Sequence, residues 1–385
     1  MNFKKFEESL KYKKYNKLKI FIRFIEYKLK NFGIDLIIKF NLFKIKSKPM
    51  IDLGSFKDNR FINFLLYSLK NDFILVYKKD ENTKKLFKRI GLVNFFKHTL
   101  PNNQKQEKIK FKFSINKRIC ETNEVNFDVN YFKYIYNKKN TSLEKNLIMP
   151  YYMYPRIYNS FYEKIKIRMQ PDFNLRVFFS GSVVEDGYKS FNWHKSPEKF
   201  PNRIQIINKI LNEFKHEIFV IRNKSDLNSI EISKKKIIFC LHNKMIKKTS
   251  YILNFKKNFD FLSRSCFNLS CPGVVMPLCH HLIEGIKVGS IPITNCEELL
   301  YPNLNHEVSL QYSNLDNLIE KIDEALNMKD DEILFMRNKV LNFYKLHLSP
   351  ETFLEKFQKL LLQNKKEIIC CDDHGSVHAF KENKN

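Results

Sequence analysis

Residues 280–295 read HHLIEGIKVGSIPITN and hold the groups best placed to do chemistry. The run opens with helical character and carries Glu284 on its second turn. It stops at Gly289, which permits a sharp helix-to-strand turn, and continues as a short apolar strand, SIPIT. Pro292 is tolerated at such a strand's end. A carboxylate beside the edge of a buried strand is positioned to meet a ligand. His280 and His281 are adjacent, so on a helix they point to different faces and make a poor chelate. No bound metal is expected from them.

The elements that would position these groups follow from apolar periodicity. RVFFS (176–180), EIFVI (217–221), KIIFC (236–240), CFNLS (266–270), SIPIT (290–294) and EVSLQY (307–312) read as strands. Helical patterns lie between and after them, at 202–214, in the middle of 250–265, around 278–288, and at 314–327, 330–347 and 351–363. Nearly continuous apolar strands alternating with helices imply a parallel sheet covered on both faces, a Rossmann-like domain of about six strands. The first 150 residues are less regular. Strands are expected at 35–40, 49–53 and 72–78, with a helix over 59–70, and polar loops at 100–110 and 136–146. The proline-bracketed MPYYMYPRIY (149–158) marks a domain boundary. The expected organisation is an N-terminal α/β domain (1–150), a Rossmann-like domain (151–345), and a C-terminal helix and polar tail (346–385). Helices over 330–363 are expected to pack at the hinge, and the chain from Glu367 to be loose.

Ligands of doubly wound sheets bind beyond the carboxyl ends of the strands. Three turns occupy those places: Gly181-Ser182, Cys271-Pro272-Gly273 and Asn295. Backbone N–H groups at Gly181-Ser182 can approach a phosphate. Arg203 and Arg264 are the candidate cations. Neither GxGxxG nor GxxxxGK[ST] occurs, so the sheet is not an evident dinucleotide or P-loop domain.

The formal net charge is +27. A polyanionic partner would explain it. So would codon bias, because only two alanines, Ala325 and Ala379, accompany abundant Lys, Asn, Ile and Phe. No nucleic-acid-binding module is recognisable, and nucleic acid is not the expected partner. Lysine-rich residues 1–30 carry apolar residues at helical spacing, read either as an amphipathic helix on an anionic membrane or as an ordinary surface helix. The start has no apolar signal core and no apolar run is long enough to span a bilayer, so a cytoplasmic chain is expected. None of the eight cysteines forms a CxxC pair, which favours small buried thiols.

The run DFLSRSCFNLSCPGVVMPLCHHLIEGIKVGSIPITN (260–295) resembles the donor-sugar half of GT-B glycosyltransferases, in particular the exostosin-like group. The shared pattern is a strand, a Pro-Gly turn, a helix bearing an acid, a glycine and an apolar–Pro–apolar strand. RVFFSGSV and PNRIQIINKIL resemble the opening strand and first helix of the same domain. The resemblance covers about 176–295 and is slight over 1–145. It implies an α/β fold of GT-B type, with two facing Rossmann-like domains and parallel sheets. The implied activity is transfer of a sugar from a nucleotide-sugar donor to a surface glycan, polysaccharide or lipid-linked acceptor. No cofactor or essential metal is implied. Glu284 would bind the ribose hydroxyls, and Arg203 or Arg264 would stand beside the diphosphate.

The sequence departs from that pattern in two places. Met276 stands eight residues before Glu284, where many such enzymes have a second acid, and His281 stands where an arginine is usual. A histidine replaces that charge only when protonated. The catalytic base is not marked: Asp52, Asp58 and His98 are available, and Trp193-His194 fall near the expected cleft. The alternatives are a basic nucleic-acid-binding protein, a non-catalytic GT-B relative, and a sugar epimerase.

Overall fold

The apolar runs that predict the second half's strands form them in the computed structural model. The structure describes residues 50–52, 61–77, 99–101, 109–115, 124–136, 147–185, 188, 201–242, 251–363, 366–372 and 376–377. Asp58, His98, Trp193-His194, the helix expected over 1–30 and the strand at 35–40 lie outside them.

The chain divides into two units, residues 1–57 with 69–113, and residues 58–68 with 114–385. The first holds β1 (Met50–Asp52), β2 (Ile74–Tyr77), β3 (Thr99–Pro101) and most of β4 (Ile109–Ile115). β2 lies between β1 and β3, β1 pairs with β4, and all three pairings are parallel. The stretch expected as a polar loop over 100–110 is thus bounded by strand at both ends.

The second unit contains the helix expected over 59–70, α1 (Ile62–Leu69), but for its last residue. Its other elements up to residue 160 are β5 (Glu124–Asp128), α2 (Tyr131–Tyr136), β6 (Leu147–Ile148) and α3 (Pro155–Ser160). The regular part follows: β7 (Val177–Ser182), α4 (Arg203–Glu213), β8 (Ile218–Val220), α5 (Asp226–Ser233), β9 (Ile237–His242), α6 (Phe255–Arg264), β10 (Phe267–Leu269), α7 (His280–Lys287), β11 (Ile291–Thr294) and β12 (Leu310–Gln311). It ends with α8 (Leu315–Asn327), α9 (Asp330–Phe343), α10 (Pro350–Leu360) and β13 (Lys366–Ile369).

Strands β7 to β12 form one parallel sheet in the order β12-β11-β10-β7-β9-β8. Its central strands are apolar without alternation because helices cover both faces; Val177, Phe178, Phe239 and Phe267 have no exposed surface. The chain leaves β7 for β9 and β8 on one side, then crosses to β10 on the other. The winding therefore reverses between β7 and β10, opening a crevice at their carboxyl ends. The order differs from the usual doubly wound sheet, since the third strand rather than the second lies beside the first.

Local sequence sets the helix starts. Asn202 caps α4 through the Gln205 N–H at 3.0 Å while the Gln205 side chain accepts from the Asn202 N–H, a reciprocal box. Asn254, Asn314 and Ser349 cap α6, α8 and α10 in the same sense. Gly289 ends α7 with φ +81°, where a side chain would be strained. Pro292 sits in β11 opposite Asn268, and the ladder to β12 begins only at Ile293, so its missing N–H breaks no pair.

The described residues beyond Glu367 do not form the loose tail expected of them. Lys366–Ile369 forms β13, which inserts in parallel between β5 and β6 with Ile368 and Ile369 fully buried. Phe353 of α10 also packs edge-on against Phe64 of α1 at 5.4 Å. The C-terminal segment thereby completes the packing around β5, β6 and α1.

Candidate functional site

A cavity of about 370 Å³ opens at the carboxyl ends of β7 and β10. Its wall includes Gly181, Ser182, Arg203, Gly273, His281 and Glu284. The sequence reading thus selects residues from four separate segments that converge on one space. Pro272 and Asn295 do not line it; Asn295 Oδ1 accepts instead from the Cys296 thiol at 3.2 Å. Arg264 is absent from the wall and pairs with Asp172 at 2.9 Å. It ends the helix before β10, so topology puts it toward the amino edge of the sheet, away from the crevice.

Arg203 is the first residue of α4 and is only 6 % exposed. Its Nη1 donates to the Ser182 carbonyl at 3.2 Å and its Nη2 to the Cys279 sulfur at 3.3 Å. The guanidinium lies over the Phe179 and Tyr188 rings at 5.6 and 5.1 Å. Gly181 makes this approach feasible: a Cβ there would stand 2.6 Å from Phe179 and 3.2 Å from Arg203 Nη1. No carboxylate contacts the guanidinium among the described residues, and its Nε has no partner there. A cation at a helix N-terminus opposes the helix dipole, so both favour an anion in the cavity. The N-terminal turn of α7 (Cys279, His280, His281) lines the same wall.

His281 is half-buried, and burial, with Arg203 next in importance, lowers its pKa to about 3. It is therefore neutral at pH 7 and supplies no positive charge. Among the described residues Arg203 is the cation of this wall. His280 Nδ1 donates to the Tyr152 carbonyl at 3.0 Å, and its ring stacks on Tyr151 with an interplanar angle of 2°.

Glu284 is buried on the opposite chemistry of the site. Its Oε1 accepts from the Tyr154 N–H at 3.3 Å and its Oε2 from the Asn258 amide at 3.5 Å. Burial raises its pKa to about 7, against the opposing pull of the Tyr154 N–H. The Asn258 side-chain Oδ1 is buried without a partner among the described residues. The cavity thus offers an unpaired donor on Arg203 and an unpaired acceptor on Asn258, each costly to leave unmade. Apolar side chains, Ile252, Leu253 and Val275, complete the wall.

Asn258, Tyr151 and Tyr154 escape the sequence reading. Asn258 did carry a signal, since it shares the apolar stripe of α6 with Phe255 and Leu262. Met276, in the place of a second acid, is buried on the wall and 3.9 Å from the Cys371 sulfur. Asp52 ends β1 in the first unit. Among the described residues no group of three or more His, Cys, Asp or Glu is arranged to hold a metal ion. Seven cysteines there form no disulfide, and no helix among the described residues is long and apolar enough to cross a membrane.

Neither protein families nor curated proteins yield a match to the chain. Among solved structures, a glycosyltransferase from Rickettsia africae is 10 % identical, with a TM-score of 0.42 over 82 % of this chain and 98 % of that one. A candidate UDP-N-acetylglucosamine 2-epimerase from Listeria monocytogenes is also 10 % identical, with a TM-score of 0.35 over 82 % and 95 %. The Anabaena protein HepE, in complex with UDP, is 8 % identical, with a TM-score of 0.34 over 82 % and 99 %. The fold class is α/β with two parallel-stranded sheets, as the sequence leads one to expect. What the cavity does must be read from this chain's own residues.

Proposed function

We propose that the chain is a glycosyltransferase that holds a nucleotide-sugar in this cavity and passes the sugar to a glycan or lipid-linked acceptor. One observation carries the reading. A buried arginine without a carboxylate partner among the described residues and a buried glutamate share one cavity at the switch point of a parallel sheet.

Each group has a role in that reaction. Arg203 and the N-termini of α4 and α7 offset the charge that grows on a departing nucleoside diphosphate, which favours cleavage of the sugar–phosphate bond. Gly181 lets backbone and guanidinium approach the phosphates closely. Glu284, as a carboxylate, accepts hydrogen bonds from the ribose hydroxyls, and Asn258 Oδ1 provides a further acceptor. Ile252, Leu253 and Val275 offer an apolar wall to a flat base. The acceptor hydroxyl must lose its proton to a base that none of these groups supplies. The membership in the exostosin-like group stays a proposal resting on the 260–295 pattern.

Met276 and the neutral His281 favour a second reading, a GT-B relative that binds nucleotide without turnover. Thermal stability against UDP, GDP, CMP, ADP and their sugars tests both, with wild type and Glu284→Gln. A shift with one nucleotide, reduced in the variant, together with sugar release supports transfer. A shift without release supports the second reading. No shift with any nucleotide, but one with a random oligonucleotide at low salt, overturns both.

A further inference from the structure

Residues 164–169 read KIKIRM, alternating base with apolar residue, and all but Ile165 are exposed. Ile167 is 44 % and Met169 66 % exposed, large values for such side chains in a well-packed unit. The segment runs along helix α6. Phe161 packs on Phe255 and Phe259 at 6.1 and 5.6 Å, and Arg168 reaches Asp260 at 3.0 Å with its N–H on the Ser263 hydroxyl. Lys256 shares the exposed face of α6 with Asp260, one turn away. The strip therefore combines Arg156, Lys164, Lys166, Arg168 and Lys256, all exposed, with protruding Ile167 and Met169. Its two exposed acids are engaged: Asp260 pairs with Arg168, and Glu163 accepts from the Tyr67 hydroxyl.

At its other end the strip meets the cavity. Tyr154, 38 % exposed, contacts Phe255 at 6.0 Å, and both line the cavity, as does Ile252, 50 % exposed. Apolar side chains that stand in water beside exposed bases lower their free energy at one kind of surface in particular. The bases approach anionic headgroups while the apolar tips enter the acyl boundary. A polynucleotide would use the bases and leave Ile167 and Met169 in water.

We infer that this strip, Arg156 to Met169 with Lys256, docks the protein on an anionic phospholipid bilayer and brings the cavity mouth to the membrane surface. The docking does not depend on what the cavity binds. It is also distinct from any contact made by residues 1–30.

The test is sedimentation of the full chain with vesicles of phosphatidylcholine alone or with about 30 % phosphatidylglycerol. Wild type, Ile167→Glu/Met169→Glu and Lys164→Gln/Lys166→Gln are compared, each with its melting temperature measured to show that it is folded. Wild type is expected to bind the anionic vesicles only. The lysine pair should weaken binding about thirtyfold, at roughly a factor of five for each base near such a surface. The apolar pair should weaken it about tenfold or more. Failure of wild type to bind overturns the inference. So does an apolar pair that binds like wild type, since residues 1–30 or charge alone would then be responsible. Tighter binding of a single-stranded oligonucleotide, untouched by the apolar pair, overturns it in favour of nucleic acid.

Discussion

Glu284 Oε1 accepts a hydrogen bond at 3.3 Å from the backbone N–H of Tyr154, 130 residues earlier in the chain. The bond ties α7 to the segment that precedes α3 and fixes the carboxylate at the cavity wall. It is a single N–H, and it does not offset the desolvation of a buried carboxylate.

The consequence is a pH-dependent stability. The folded pKa of about 7 lies above the ordinary value of 4.5, so the folded state binds more protons between those limits. Stability therefore falls as pH rises from 4.5 to 7 and levels off above, a loss from this group on the order of 3 kcal/mol. Glu284→Gln should be clearly more stable than wild type at pH 8 and nearly equal at pH 5, measured by urea unfolding. Equal gaps at both pH values would show that the carboxyl is not raised. Under the proposed function the sign reverses for binding: ribose hydroxyls favour the carboxylate, so nucleotide affinity should rise from pH 6 to 8 in wild type and stay flat in the variant.

Arg203 is the second lever. Its guanidinium is buried against Phe179, Tyr188 and the Ser182 carbonyl, without an acid among the described residues. Replacing it by methionine removes a buried charge that no carboxylate among the described residues balances, and keeps most of the volume. Arg203→Met should therefore unfold no earlier than wild type and gain up to about 2 kcal/mol. The same variant should lose at least about tenfold in nucleotide affinity, because among the described residues no other Lys or Arg lines that wall. Arg203→Lys should recover little, since a point charge lacks the fork that spans Ser182 and Cys279. Calorimetric titration and urea unfolding read the two effects separately. A destabilised variant with unchanged affinity would make Arg203 a structural residue only.

The sheet and part of the cavity wall are legible in the sequence for one reason. Each of the six strands of the clear half is a local apolar run, and residues that follow such runs fall at the carboxyl edge. Gly181, Ser182 and Gly273 are found that way, and Arg203 because it opens the helix after the first strand. Arg264 shows the limit, because basic character near a strand does not say which edge it occupies, whereas its place before β10 does. Asn258 and Tyr154 reach the cavity through tertiary packing of α6 and of the segment before α3, which periodicity does not encode. The strand Lys366–Ile369 is four residues, two of them charged, close to further charged residues on either side. Its partners lie at 124–128 and 147–148, and a parallel pairing across such a separation leaves no local mark.

Behind the cavity, Gly289 and Arg337 hold the far end of α7. Arg337 is fully buried and donates to the carbonyls of Arg168, Ser263, Ser265, Val288 and Gly289 at 2.6–3.4 Å. Burial lowers its pKa to about 10, so it stays charged at pH 7. Arg337→Met leaves five carbonyls without their donor and should cost about 3–5 kcal/mol. Gly289→Ala places a Cβ 2.9 Å from Leu341 and 3.1 Å from Arg337 at positive φ, and should cost about 1–3 kcal/mol. The two touch, so the double variant should cost less than the sum. Chemical denaturation of the three variants gives the coupling, and strict additivity would mean that Gly289 does not position the carbonyl for Arg337.

Removal of the last strand should be the most damaging change of all. β13 pairs on both sides, with β5 through Lys366–Ile369 and with β6 through Ile368 and Ile369, and Met149 N–H donates to the Ile369 carbonyl at 2.8 Å. Truncation after Gln363 deletes an interior strand, exposes Val125 and Phe127, and leaves two unpaired strand edges. The loss of Ile368, Ile369, Cys370 and Cys371, all buried, removes apolar burial that no neighbour can replace. The truncated chain is expected to aggregate or to lose its cooperative transition, seen by far-ultraviolet circular dichroism on heating and by sedimentation velocity. Glu367→Ala, at the half-buried position of the same strand, should fold and melt within a few degrees of wild type. A truncated chain that stays monomeric and melts within a few degrees of the full one would return the segment to the loose tail its polar flanks suggest.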